Sequence, residues 1–375
     1  MDRIDSQFKE IFEWLRFMLN PDNEIPQVSD WEALYDFADK HKIIGICDPT
    51  KYEVKIDIEF ISLWMGTALQ IANSNTLLNK RAVELCQVLE RAGFRCCILK
   101  GQGNAEMYPN PLSRTPGDID VWIDADEDTI QRFVRKRFPD AKDCFKHIKF
   151  PVFDDVEVDV HQTPLKFRHP WHQSRLQRWI NLHKDVQFAN QVELTGTDSI
   201  IHVPKAQFNA VYQLGHIMIH LFDEGIGFRH LIDYFYVLKT LDGISSEVRD
   251  KIVLAWKRLG MYRLASAVMW IEKEILGLPQ ELLLTTPNKQ LGEKVLADVL
   301  EGGNFGHYSV RQTYRCTGRR FTRRISSFFR LMRLFPCFPS EMTFQIVRRC
   351  TGIAKADIRR MCRWEAKRTK ETIRI

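Results

Sequence analysis

Gly117-Asp118-Ile119-Asp120-Val121-Trp122-Ile123 decides the fold. A glycine opens a short β-prone run in which two carboxylates alternate with apolar side chains. Successive strand residues face opposite sides, so Asp118 and Asp120 share one face, about 7 Å apart along the backbone. Ile119, Val121 and Ile123 share the other, buried face. Two carboxylates side by side at a strand start repel each other unless a cation lies between them. The pattern outlines a divalent-metal site.

A third acid lies on Val156-Glu157-Val158-Asp159-Val160-His161. The valines take one face, and Glu157, Asp159 and His161 take the other. With the two strands side by side, three carboxylates converge on one polar sheet edge. That suits two Mg²⁺ ions about 4 Å apart, hard cations that take oxygen ligands and keep waters and phosphates as the rest.

Upstream, Arg95-Cys96-Cys97-Ile98-Leu99 reads as a strand and Lys100-Gly101-Gln102-Gly103 as a turn. Asn104 to Met107 reads as a helix start, ended by Tyr108-Pro109-Asn110-Pro111. The N–H groups of Gly101 to Gly103 form an anion cradle, where glycine lets the backbone approach a phosphate. Lys100 adds a point charge and Arg114 a planar fork for phosphate oxygens. Singly, each piece has a plainer reading: an Asp-x-Asp at a strand edge is ordinarily solvated surface, and a glycine turn is common. The information lies in their order.

The stretch Ile98-Leu99-Lys100-Gly101, continued through Tyr108-Pro109, Arg114 and Gly117-Asp118-Ile119-Asp120-Val121, resembles the DNA polymerase β-like nucleotidyltransferase superfamily. More narrowly, it resembles the bacterial uncharacterised nucleotidyltransferases. Val158-Asp159-Val160-His161 is similar to the third-acid strand of that family. His216-x-x-x-His220 through Gly227-Phe228-Arg229-His230-Leu231-Ile232-Asp233 is similar to its helical motif. The resemblance spans about residues 80 to 240.

It implies that Asp118 and Asp120 ligate both Mg²⁺ ions, with Mn²⁺ as substitute, and that Asp159 ligates one. Asp159 would also help activate an acceptor hydroxyl, which attacks the α-phosphorus of an NTP and expels pyrophosphate. Lys100, Gly101, Gln102 and Arg114 fall on the nucleotide side. His161, His216, His220, Arg229 and Asp233 fall on the acceptor side. Two departures stand out. Gly101 is followed by Gln102 where the superfamily has Gly-Ser or Gly-Gly, and the gap to Asp118 is longer, with Pro109 and Pro111 inside it. They keep a rival reading open: a retired nucleotidyltransferase scaffold that binds nucleotide or metal, or regulates a partner, without turnover.

Structural readings compete at several positions. His216 and His220 share a helix face, but Ile217 stands where a zinc protease needs glutamate. Packing against the sheet, or lining the acceptor cleft, suits them better. Arg229 and Asp233 are spaced as an ordinary helix pair. His161 equally suits a hydrogen bond to the metal-binding carboxylates.

The 375 residues suffice for two domains, and 45% hydrophobic with 27% charged residues is a globular composition. No run of about 18 apolar residues exists and the N-terminus lacks a signal core, so a cytoplasmic protein is expected. Nine cysteines without a CxxC pair argue against a zinc ribbon and a disulfide framework. The net charge of +6 hides an asymmetry: residues 311–375 carry 18 Lys and Arg against 4 Asp and Glu. There arginines mix with Ile325, Phe328, Phe329, Leu331, Met332, Leu334 and Phe335. The segment reads as a helical cap, as a patch for an anionic membrane surface, or as an RNA contact, the last without any stacking fingerprint.

The expected fold is α+β: a small mixed β-sheet flanked by helices. A helical N-terminal region covers 1–92, the catalytic core 93–200, a helical substrate or cap domain 201–310, and the basic helical segment 311–375. Helices are expected over 61–89, 126–137, 206–221, 228–241, 247–259 and 264–276, and strands over 145–153 and 156–161. Because the catalytic region is acidic, a small-molecule, sugar or glycan acceptor is expected rather than nucleic acid.

Overall fold

A computed structural model describes residues 2–21, 24–144 and 147–304, together with 330, 332–335, 337–339, 342–344 and 346–347. Helices α1 (Asp2–Leu19), α2 (Trp31–His41) and α3 (Ile58–Arg91) come first. Strand β1 (Cys96–Leu99), short helix α4 (Gly101–Ala105), strand β2 (Ile119–Ile123) and helix α5 (Glu127–Arg137) follow. Strands β3 (Ile148–Lys149) and β4 (Val158–His161) complete the main sheet. Helix α6 (Pro170–Gln187) leads to a hairpin of β5 (Gln191–Glu193) and β6 (Ile200–His202). Helices α7 (Ala206–Asp223), α8 (Phe228–Lys239), α9 (Ser246–Arg258), α10 (Tyr262–Glu274) and α11 (Lys289–Gly302) close the described succession.

The main sheet runs β1-β2-β4-β3, with β2 and β4 parallel and both outer strands antiparallel to their neighbours. This is the small mixed sheet flanked by helices that was expected. One face carries Ile98, Ile119, Val121, Val158 and Val160, packed with Leu78, Ala82 and Leu85 of α3 and with Ile130 and Val134 of α5. Each such side chain, fully buried, contributes about 1.5–3 kcal/mol. Trp122 on the other face is also buried, its ring 4.6 Å from that of Phe188 and its Nε1 donating to Gln162 O at 2.9 Å. That face therefore mixes Asp120, Asp159 and His161 with the buried Cys97, Leu99 and Trp122.

Several local expectations change. The turn at Lys100 is tighter than expected: Lys100 and Gly101 both have positive φ, 47° and 41°, and α4 begins at once. The strand expected over 145–153 shrinks to Ile148–Lys149, because Pro151 has no N–H for a ladder and Val152 N turns back to Phe150 O at 2.7 Å. Phe145 and Lys146 lie outside the described residues. Helices α6 and α11 and the β5–β6 hairpin were not foreseen.

The stretches 1–92 and 201–310, expected as separate regions, share one core. Phe12 and Phe37 pack on Phe228 at 6.0 and 5.2 Å between ring centroids. Helix α3 also fixes the approach to the acids: Asn75 Nδ2 donates to Leu112 O at 2.9 Å and to Arg114 O at 2.8 Å. Gly45 passes so close that a Cβ there would stand 2.4 Å from Ser113 O. Much of the basic segment, including Ile325, Phe328 and Phe329, lies outside the described residues. Its described part packs on the helices: Leu334, Phe338 and Met342 are buried, and Arg330 Nε donates to Asp298 of α11 at 2.8 Å.

Candidate active site

Parallel pairing of β2 with β4 sets Asp120 opposite Asp159 and Trp122 opposite His161. Asp118 stands just before β2. One ligand oxygen from each of Asp118, Asp120 and Asp159 lies within 4.8 Å of the other two. The acids differ in setting: Asp118 is exposed, while Asp120 and Asp159 keep 5% and 3% of their surface. They line a cleft of about 390 Å³ between the polar end of the sheet and helices α7 and α8. Of the twelve positions singled out in the sequence, all but Gln102 line it.

The buried acids are wrapped in bases. Lys100 Nζ lies 2.8 Å from Asp120 Oδ2, and His161 Nε2 lies 2.7 Å from Asp120 Oδ1. Burial works to raise the Asp120 carboxyl, but these two partners outweigh it and hold it well below its usual range. Lys149 Nζ stands 2.8 Å from Asp159 Oδ1, and His147 Nε2 3.1 Å from Asp159 Oδ2. Burial, with the charges of Asp118 and Asp120 adding, still pushes Asp159 up to about 6 against the pull of Lys149. His147 is drawn down to about 4, chiefly by burial and then by His161 and Lys149. Lys149 and His147 were missed in the sequence. Their signal was the His147-Ile148-Lys149 alternation, which meant nothing until the β3–β4 register placed Lys149 opposite Asp159.

Lys100 reaches Asp120 from a costly backbone. Its φ of 47° and ψ of −145° lie in a sparsely populated region, a conformation costing about 1–3 kcal/mol. On its far side Lys100 Nζ meets His216 Nε2 at 3.1 Å, and His216 Nε2 meets His220 Nε2 at 3.0 Å. A polar run thus crosses from the sheet acids to α7.

Arg114, expected at phosphate, has another partner. Its Nε and Nη2 donate to Asp233 Oδ1 and Oδ2 at 2.7 and 2.8 Å, a buried two-point pair joined by Tyr108 Oη donating at 2.6 Å. Arg229 donates to Thr115 O and Pro116 O at 3.3 and 3.4 Å. Burial, with Arg114 beside it, brings the Arg229 guanidinium down to about 10. Together Arg229 and Asp233 clamp residues 114–116, the lead into Asp118, onto α8. The Gln102 side chain turns away from the cleft, its Nε2 donating to Asn75 and Asn79 of α3. At that position only the backbone remains for a nucleotide.

Three carboxylates this close form a hard, all-oxygen donor set, which fits Mg²⁺ or Mn²⁺ and not a thiolate-seeking metal. Residues 27–277 match the sequence model of a family described as uncharacterised nucleotidyltransferase. No curated protein matches the chain. Among solved structures, an antigenic nucleotidyltransferase-like protein from Paracoccidioides brasiliensis is similar at 15% identity, covering 49% of this chain and 92% of that one, with a TM-score of 0.31.

Proposed function

The chain belongs to the uncharacterised nucleotidyltransferase family, and on that footing we propose that it is a Mg²⁺-dependent nucleotidyltransferase. It moves a nucleoside monophosphate from an NTP to a hydroxyl of a small-molecule, sugar or glycan-related acceptor and releases pyrophosphate. The observation that carries this reading is the convergence of Asp118, Asp120 and Asp159 at the wall of an open cleft.

Each residue has a task that its position supports. Asp118, exposed at the mouth, and the buried Asp120 and Asp159 make up the corner that would hold a cation. Held by these three carboxylates, a divalent cation would supply charge neutralisation for the α-phosphate and the leaving pyrophosphate. Asp159, on the wall of the cleft, is placed to help activate the acceptor hydroxyl. Lys100 and the backbone at Gly101 face the nucleotide. His216 and His220 of α7 form the opposite wall and meet the acceptor. Arg114, Arg229 and Asp233 act by fixing the segment that presents Asp118, so they position and do not bind.

The acids that line the cleft suit a small-molecule acceptor better than a polyanionic nucleic acid. Among the described residues no helix is long and apolar enough to cross a membrane. Cytoplasmic location completes the proposal.

Pyrophosphate release across a panel of NTPs and hydroxyl acceptors, with Mg²⁺, tests it. Asp118→Asn is the informative variant, because Asp118 is exposed and its loss leaves the buried network intact. Release should fall at least about a hundredfold with unchanged thermal unfolding. Equal release in the variant would remove Asp118 from the chemistry. A wild-type chain that binds NTP but never releases pyrophosphate would favour the retired-scaffold reading.

A further inference from the structure

The acid corner is asymmetric. Both oxygens of Asp120 and both oxygens of Asp159 lie within 3.1 Å of a protein base. Asp118 has no hydrogen-bond or ion-pair partner among the described residues, and it faces solvent. Two of the four bases are lysines, and two ammonium groups carry the charge of one divalent ion.

Neither lysine is there by accident of a flexible surface chain. Lys149 is the direct Cα partner of Asp159 across the β3–β4 ladder, so the sheet register delivers its ammonium to that carboxylate. Lys100 is held from two sides, by Asp120 of the sheet and by His216 of α7. It also keeps a positive φ that glycine would adopt freely. Non-glycine residues in such strained backbone cluster at functional sites, which points to a task for the Lys100 side chain.

Resting on the nucleotidyl-transfer reading above, we propose that Lys100 is a resident cation of the acid corner. It fills the place of one divalent ion, so the corner takes a single ion, bound from the Asp118 side, where the family resemblance implied two. The lysine holds Asp120 oriented and meets the triphosphate as a fixed charge. A second divalent ion on Asp120 would have to displace it.

The test counts Mn²⁺ by electron paramagnetic resonance on the full chain, with one equivalent of the α,β-methylene analogue of ATP present. Wild type should hold one Mn²⁺ per chain, with the spectrum of an isolated ion. Lys100→Met, neutral and of similar length, should hold two, broadened by spin coupling across about 4 Å. Lys100→Arg should stay at one. A coupled pair in wild type overturns the proposal and leaves nucleotidyl transfer standing. So does a Lys100→Met protein that folds, by circular dichroism, and still holds one ion. If Lys100→Met does not fold, the counts for wild type and Lys100→Arg still decide: one isolated ion supports the proposal and a coupled pair overturns it. No Mn²⁺ in any of the proteins overturns both this proposal and the metal-dependent reading.

Discussion

The cleft and the helical body both bury carboxylates, and they handle the charge in opposite ways. At the cleft, Asp233 sinks to 5% exposure but meets a two-point guanidinium from Arg114 and the Tyr108 hydroxyl. Burial works to raise its carboxyl, and these partners outweigh burial and keep it below the usual range. In the helical body, Glu272 of α10 is fully buried, and neither oxygen has a hydrogen-bond partner among the described residues. Burial alone pushes its carboxyl far above the ordinary value. A buried acid with a matched cation stays ionised and can orient its surroundings. One without a partner stays protonated and acts as an awkward hydrophobe.

The largest effect expected from breaking this contrast is at Asp233. Asp233→Ala strands the Arg114 guanidinium in the interior, and unfolding free energy by urea titration should fall by about 3–5 kcal/mol. Because the folded Asp233 carboxyl lies below its unfolded value, the pair stabilises the protein above about pH 4. That stability is lost as pH falls through the lower, folded value. The variant should therefore lose part of the acid limb of the stability curve. A fall below about 1 kcal/mol would mean that the pair is a surface-grade contact.

Glu272 should show the smaller and opposite effect. Glu272→Met removes two unsatisfied oxygens, and stability at pH 8 should rise by about 1–3 kcal/mol. The sign with pH is reversed, since the folded value lies above the unfolded one. The wild-type carboxyl suits the fold below about pH 4.3 and weakens it progressively as pH rises. The gain should therefore shrink toward pH 4. A gain of equal size at both pH values would show that packing, not ionisation, separates the two residues.

What could be read from the sequence follows from the range of each interaction. The alternation on β2 and β4 is local, so the strands, their apolar faces and the acids they carry were legible. So were α3, α7 and α8, whose apolar periodicity runs over three turns or more. The pairing of Arg114 with Asp233 was not, because its partners lie 119 residues apart and each alone looked like a ligand contact. Gln102 misled for a related reason: its backbone sits at the turn, but its amide answers to asparagines on α3. Lys149 and His147 depended on a two-residue strand, too short to have a period. Helix α6 was hidden by its polar character, with Leu176 and Ile180 its only buried apolar residues.

On the proposed function, Asp118, Asp120 and Asp159 form one cation-binding corner serving nucleotide chemistry. Crystals of the full chain grown with Mn²⁺ and a non-hydrolysable NTP, mapped by anomalous scattering, test it most directly. An anomalous peak is expected about 2.0–2.2 Å from an Asp118 carboxylate oxygen and from Asp159, with the triphosphate against it. A fully occupied Mn²⁺ elsewhere, for instance between His216 and His220, with the three aspartates bare, would contradict it.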